Sequence, residues 1–220
     1  MSMGIDRIHF AGGVRTTSRA AAVSLCAMIL LLAGKSGDAR SQSKQAPPPS
    51  AEDKESIRIR NMLRAAEFRQ WSRDLTSMGS AANGVYLEVL QDPLAGSLEI
   101  TRVLSLLGRQ KGDRSPFIPL AVRLLQHKED GVRSGAASLL GKIGTADHAP
   151  ALVALLSDES TTVQSYSARA LAEIGTSKEL DAFDRRLATK HSADYPELLE
   201  DLKQSRDQLQ KRLKEAKKKE

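Results

Sequence analysis

The 220-residue sequence contains a single cysteine, Cys26, and it lies inside an apolar run near the start of the chain. A disulfide needs two thiols, so no intrachain bridge staples this fold. If the run is removed, no thiol chemistry remains. Aromatic residues make up only 4% of the chain, as one Trp, three Tyr and four Phe. That is too few for a β-sheet core or an aromatic cage. Strands favour Val, Ile and aromatics, whereas the abundant Ala and Leu favour helix. An excess of one charge sign is also missing from the body. The formal charge is +6, but residues 1–39 carry four bases against two acids and residues 201–220 carry eight against four. Residues 40–200 are therefore neutral, and the basic character belongs to the two ends.

Clustered chemistry is absent as well. His9, His127, His148 and His191 stand alone, without a His, Cys or carboxylate partner at metal-ligand spacing. Ser134, Ser138, Ser165 and Ser167 have no G-x-S-x-G elbow around them. The glycines form no G-x-x-x-x-G-K loop to cradle a phosphate. As acids, Glu173, Asp181 and Asp184 read as ordinary solvated groups. The expectation is a non-enzymatic protein with no cofactor and no metal. A neutral body also argues against nucleic acid as a partner.

No apolar stretch reaches the roughly 20 residues of a membrane-spanning helix. Residues 20–34, AAAVSLCAMILLLAG, are an uncharged run of 15 behind Arg15 and Arg19. That is the make-up of a signal-peptide core, and Gly37 and Ala39 supply small residues for cleavage after Ala39. The alternative is an uncleaved anchor through 20–34. A lipoprotein is disfavoured because Leu25 precedes Cys26 where a small residue is wanted. Residues 40–50, RSQSKQAPPPS, read as a polar, Pro-rich linker. The expected location is exported, periplasmic or secreted.

Beyond the linker the sequence reads as helices throughout. One amphipathic helix is expected from Ala51 to Met78, opened by Ser50 with Asp53 and closed at Gly79. A short helix at 82–90 ends at Asp92-Pro93. Three helix pairs follow: 97–107 with 115–127, 130–144 with 148–156, and 162–175 with 178–190. Ser115, Asp130 and Ser177 are the expected caps, and Gly144 and Gly175 the expected left-handed stops. VRSGAASLLGKIGT from Val132 and VQSYSARALAEIGT from Val163 overlay at an offset of 31. They share Val132/Val163, Ser134/Ser165, Ala137/Ala168, Leu140/Leu171, Ile143/Ile174, Gly144/Gly175 and Thr145/Thr176. The second helices repeat at the same offset, with Pro119, Val122, Leu124 and Leu125 matching Pro150, Val153, Leu155 and Leu156. A pair this short cannot bury its own apolar stripe, so neighbouring pairs must stack into one core. The last segment, from Pro196, is a charged helix with Leu199, Leu202, Leu209, Leu213 and Ala216 near heptad spacing. It reads as a solvated capping helix running into a lysine tail, or as a weak coiled coil.

Asp130, Val132, Arg133, Ala136, Ala137, Leu140, Ile143 and Gly144 resemble the first helix of a HEAT repeat, of the short type also found in phycobilin-lyase-like proteins. The second copy keeps Val163, Ala168, Leu171, Ile174 and Gly175. It carries Gln164 where the family pattern has Arg, which puts an Asp–Arg ladder between repeats in question at that point. The resemblance implies an all-α, right-handed solenoid of about three helix pairs (93–190), flanked by an N-terminal helical cap (51–92) and a C-terminal charged helix (191–220). It further implies that the second helices line a concave face. HAPALVALLS, at 148–157, has no charged residue apart from a protonatable His148, so part of it needs cover from neighbours or from a partner. These readings give an exported scaffold binding a protein or peptide on the second-helix side. Arg123, His148, Asp181, Asp184, Arg185 and Arg186 are the candidate contacts. The basic tail could make weak contact with an acidic envelope surface. The other readings are an oligomerisation module through the C-terminal helix and, last, a lyase-like enzyme.

Overall fold

The computed structural model describes residues 50–189 and 194–218. The expected signal peptide, the linker up to Pro49, and His191 lie outside them. The described residues belong to one compact unit that begins at Pro48. They are helical, with no strand among them. The helices are α1 (Ala51–Arg64), α2 (Phe68–Ser77), α3 (Asn83–Gln91), α4 (Ser97–Leu107), α5 (Ile118–Leu124), α6 (Asp130–Ile143), α7 (Ala149–Leu155), α8 (Thr161–Ile174), α9 (Ser177–Leu187) and α10 (Pro196–Lys217). Short 3-10 turns lead into α3, α5 and α7.

The stack is an α-solenoid of the expected pairs. First helices α4, α6 and α8 lie side by side, and each second helix packs most closely on the first helix that follows it, α5 on α6 and α7 on α8. Leu139, Leu140 and Leu171 fill the layer between them, all but sealed from solvent. Ala136, Ala137 and Ala168 are fully buried where the helices meet. Gly141 permits the closest approach. A Cβ there would stand 2.8 Å from the Ala170 Cα on α8.

α10 continues the series as a fourth first helix. It packs on α8 as α8 packs on α6, and α9 packs on it in turn. Its Leu198, Leu202, Ser205 and Leu209 are buried. A Cβ on Gly175 would meet Leu209 at 3.4 Å, as one on Gly144 would meet Ile174 at 3.3 Å. Two leucines of the proposed coiled-coil seam, Leu202 and Leu209, are thus spent inside the chain, and Leu213 packs against the same core. The stack thus takes three of the five seam positions, while Leu199 is half-buried and Ala216 exposed.

Three local expectations change. The helix expected over 51–78 breaks after Arg64, with Ala65 extended at φ −59°, ψ 144°. No breaker stands in the sequence there. The cause is tertiary: Arg102 of α4 donates to the Leu63 and Ala65 carbonyl oxygens at 2.6 and 2.9 Å and lies 4.6 Å from the Phe68 ring centre. One guanidinium ends α1 and starts α2. Second, Gly144 and Gly175 are not left-handed. They are extended, at φ −77° and −65°. Their need for glycine is proximity: each N–H reaches back to a carbonyl, Leu140 at 2.7 Å and Leu171 at 2.8 Å, and a Cβ would sit 2.5 Å from that oxygen. Third, two caps shift by one residue. Thr176, not Ser177, caps α9 in a capping box with Glu179, and Glu129, not Asp130, precedes α6. Ser115 does not cap α5 either: it opens the 3-10 turn ahead of that helix, and its N–H donates to the Asp113 carboxylate at 2.9 Å. That bond holds the Asp113 carboxyl below its usual range. Ser50 with Asp53 forms the expected capping box on α1.

Candidate interaction surfaces

The six residues assigned to the second-helix side divide into groups with different duties. Arg186 is buried, 6% exposed, and donates to the Leu156 carbonyl oxygen and to Gln164 Oε1. Desolvation pushes its pKa down. It holds the stack together and is withdrawn from the surface. His148 belongs to a capping box with Thr145, its Nδ1 accepting from the Thr145 N–H at 3.1 Å. Arg123 donates to the Leu90 carbonyl oxygen at 2.7 Å, tying α5 to the end of α3. Asp184 accepts from Arg206 of α10 at 2.6 Å. That bond holds the Asp184 carboxyl below its usual range and raises Arg206. Asp181 and Arg185 are exposed with no such duty in the stack. α7, free of charged residues, packs Ala149, Leu152 and Leu155 against α8 and α9. Pro150 and Ala154 remain in solvent.

The first-helix side carries grooves of its own, lined by none of these six residues. They run along the first helices. Between α4 and α6 lies a cavity of about 350 Å³ lined by small residues, among them Ser105, Gly131, Ser134, Gly135 and Ser138, with Tyr166 of α8 at its edge. Between α8 and α10 lies one of about 540 Å³, lined by Thr162, Ser165, Tyr166, Arg169, Tyr195 and Asp201. Tyr166 lines both. Tyr195 also lines a third cavity, with Glu129, Asp130 and Glu159 at the starts of α6 and α8.

The two tyrosines are conspicuous in a chain with three. Tyr86 is 1% exposed, and burial raises its pKa to about 12. Tyr166 and Tyr195 are 38% and 46% exposed and line one groove. Arg169 lies 5.8 Å from the Tyr166 ring centre and holds Asp201 of α10 at 2.7 Å, so the floor of the groove is organised. The signal was present in the overlay of the two copies. Tyr166 stands where the earlier copy has Gly135, and Arg169 where it has Ser138. The identical apolar positions build the stack, and Tyr166 and Arg169, where the copies differ, line the groove beside the shared Ser165.

Among the described residues no three His, Cys, Asp or Glu side chains gather to hold a metal ion. None of the described helices is long and apolar enough to cross a membrane. Residues 118–196 match the family model for HEAT repeats. The match runs from α5 to the first residue of α10, so the chain carries a HEAT-repeat domain, with α4 lying before the matched stretch. No curated protein matches the sequence.

Proposed function

We propose that this protein is an exported, non-enzymatic scaffold whose HEAT-repeat stack binds a protein or peptide segment in the groove between α8 and α10. HEAT repeats commonly serve as interaction scaffolds. The observation that carries the reading is the placement of two of three tyrosines, exposed, in one groove of an aromatic-poor chain. Exposed tyrosine supplies broad contact area at low entropic cost, and it marks interface hot spots. The Arg169–Asp201 ion pair, partly exposed, links α8 to α10 beside the tyrosines.

The second-helix side remains the competing surface, with Asp181 and Arg185 exposed on α9. Affinity capture from a crosslinked envelope extract separates them. The double variant Tyr166→Ser, Tyr195→Ser is expected to lose the partner by at least tenfold, while Arg185→Glu retains it. Loss with Arg185→Glu alone transfers the site to the second-helix side. Capture of nothing by the unaltered protein sinks the scaffold reading. Export is checked separately: the first residue of the processed protein is expected to be Arg40, and an intact start at Met1 contradicts cleavage.

A further inference from the structure

The basic side chains of α10 are sorted by direction, while its acids Glu200, Asp207 and Glu215 are exposed. Its arginines turn inward. Arg206 holds Asp184, and Arg212 donates to the Ala172 carbonyl oxygen at 3.0 Å and to that of Gly175. With the buried leucines they hold the helix against α8 and α9 as far as its last turns. Its lysines turn outward. Lys203, Lys211, Lys214, Lys217 and Lys218 are exposed, and among the described residues none of them is in an ion pair. Lys211, Lys214 and Lys218 recur at the spacing that puts side chains on one helix face, which they share with a single acid of these turns, Glu215. From Lys211 onward the chain has six bases against two acids, whereas residues 40–200 balance to zero.

The helix dipole accounts for cations only in the last turn. Lys211 stands six residues before the end of α10 at Lys217, beyond that reach. Among the described residues none of these lysine side chains donates to the stack, unlike the exposed Lys142, which holds the Gly108 carbonyl oxygen. We infer that this lysine face docks on an anionic phospholipid surface.

Three observations select a membrane over other polyanions. Lysine is a hydrated point charge on a flexible stem, which suits dispersed headgroups better than a shaped bidentate site. The outward side of these turns offers no apolar residue larger than Ala216, so the helix rests at headgroup level and does not insert. The uncharged run at 20–34, read as an export signal or as an anchor, would bring the chain to a membrane in either reading.

The test is sedimentation of the full chain with phosphatidylcholine vesicles and with vesicles in which phosphatidylglycerol replaces about a third of the lipid. The difference between the two removes any contribution of the apolar N-terminal run. Each lysine near the surface is expected to strengthen binding about 5-fold. Replacing Lys211, Lys214, Lys217 and Lys218 together by Gln therefore abolishes the preference for anionic vesicles, a loss of more than about 100-fold. Replacing the same four by Arg keeps it. The preference fades between about 0.1 and 1 M salt, as the screening length shrinks from about 10 to 3 Å. Unchanged binding by the Gln variant, equal sedimentation with both vesicles, or tighter binding to soluble polyphosphate than to anionic vesicles would each overturn the inference. The Tyr166→Ser, Tyr195→Ser variant is expected to bind vesicles normally, which separates this surface from the groove.

Discussion

Arg133 and Gln164 hold equivalent places in successive repeats, 31 residues apart, yet the joints around them are built differently. Arg133 closes its joint alone. It donates to the His127 and Lys128 carbonyl oxygens beyond the end of α5, and it grips both oxygens of Asp158 at 2.8 and 2.9 Å. Both side chains are 8% exposed, and the carboxylate bond raises the arginine's pKa. At the next joint Gln164 is too short for the same span. It donates to the Asp158 carbonyl oxygen at 2.5 Å and accepts from Arg186, which arrives from α9 and also satisfies the Leu156 carbonyl oxygen. What the stack requires is a donor for the carbonyls left at the end of each second helix. An arginine in the first helix is one way to supply it, and a guanidinium from the next helix is another. The Asp–Arg ladder is therefore a means and not a rule of this fold.

The difference can be broken at either joint. The largest effect is expected from Arg133→Met, which removes the ion-pair partner of the buried Asp158 carboxylate and leaves it the Ser160 N–H. Removal of one member of a buried pair costs about 3–5 kcal/mol, read as the shift in a urea unfolding midpoint. Adding Asp158→Asn to that variant should recover part of the loss. Arg186→Met should cost less, about 2 kcal/mol, since the acceptors left behind are a carbonyl and an amide. Equal losses at the two joints would contradict the distinction between an ionic and a neutral closure. Gly141→Ala tests the contact between them. Alanine favours helix by about 1 kcal/mol, but its methyl would meet the Ala170 backbone. The expected result is a net destabilisation of about 1 kcal/mol, within the range for overpacking.

Smaller effects come from titration. Tyr86 has its pKa raised by burial, to about 12 from 10.0, so the folded state favours the neutral phenol. That stability is fully present below pH 10 and is lost as pH rises towards 12. Tyr86→Phe should flatten the decline in thermal midpoint over this window. Smallest is Asp184, held below its ordinary value by the Arg206 hydrogen bond. Its contribution is present above the unfolded carboxyl's range and disappears as pH falls through the lowered one. Asp184→Asn should therefore matter slightly at neutral pH and not at all in strong acid.

Much of the stack was legible because its instructions are local and repeated. The paired Val132/Val163, Leu140/Leu171 and Gly144/Gly175 placed the repeats, since period and glycine stops are properties of the sequence itself. Three things were not legible, and each is set by a distant residue. The break after Arg64 depends on Arg102 of α4. The burial of Arg186 depends on Gln164, a substitution whose compensation comes 22 residues later. The groove depends on α8 and α10 bringing Tyr166 and Tyr195 to one lining, whereas the charges of Asp181 and Arg185 on a second helix are visible in one dimension. The overlay did contain the clue, at Gly135/Tyr166 and Ser138/Arg169, in the positions where the copies disagree.

The groove between α8 and α10 is tested most directly by photo-crosslinking from single positions in cells, with benzoylphenylalanine replacing Tyr166 in one variant and Arg185 in another. One discrete protein adduct is expected from position 166, reduced when Tyr195→Ser is added, and none from position 185. A discrete adduct from position 185 with none from 166 would contradict that placement and return the binding surface to the second helices.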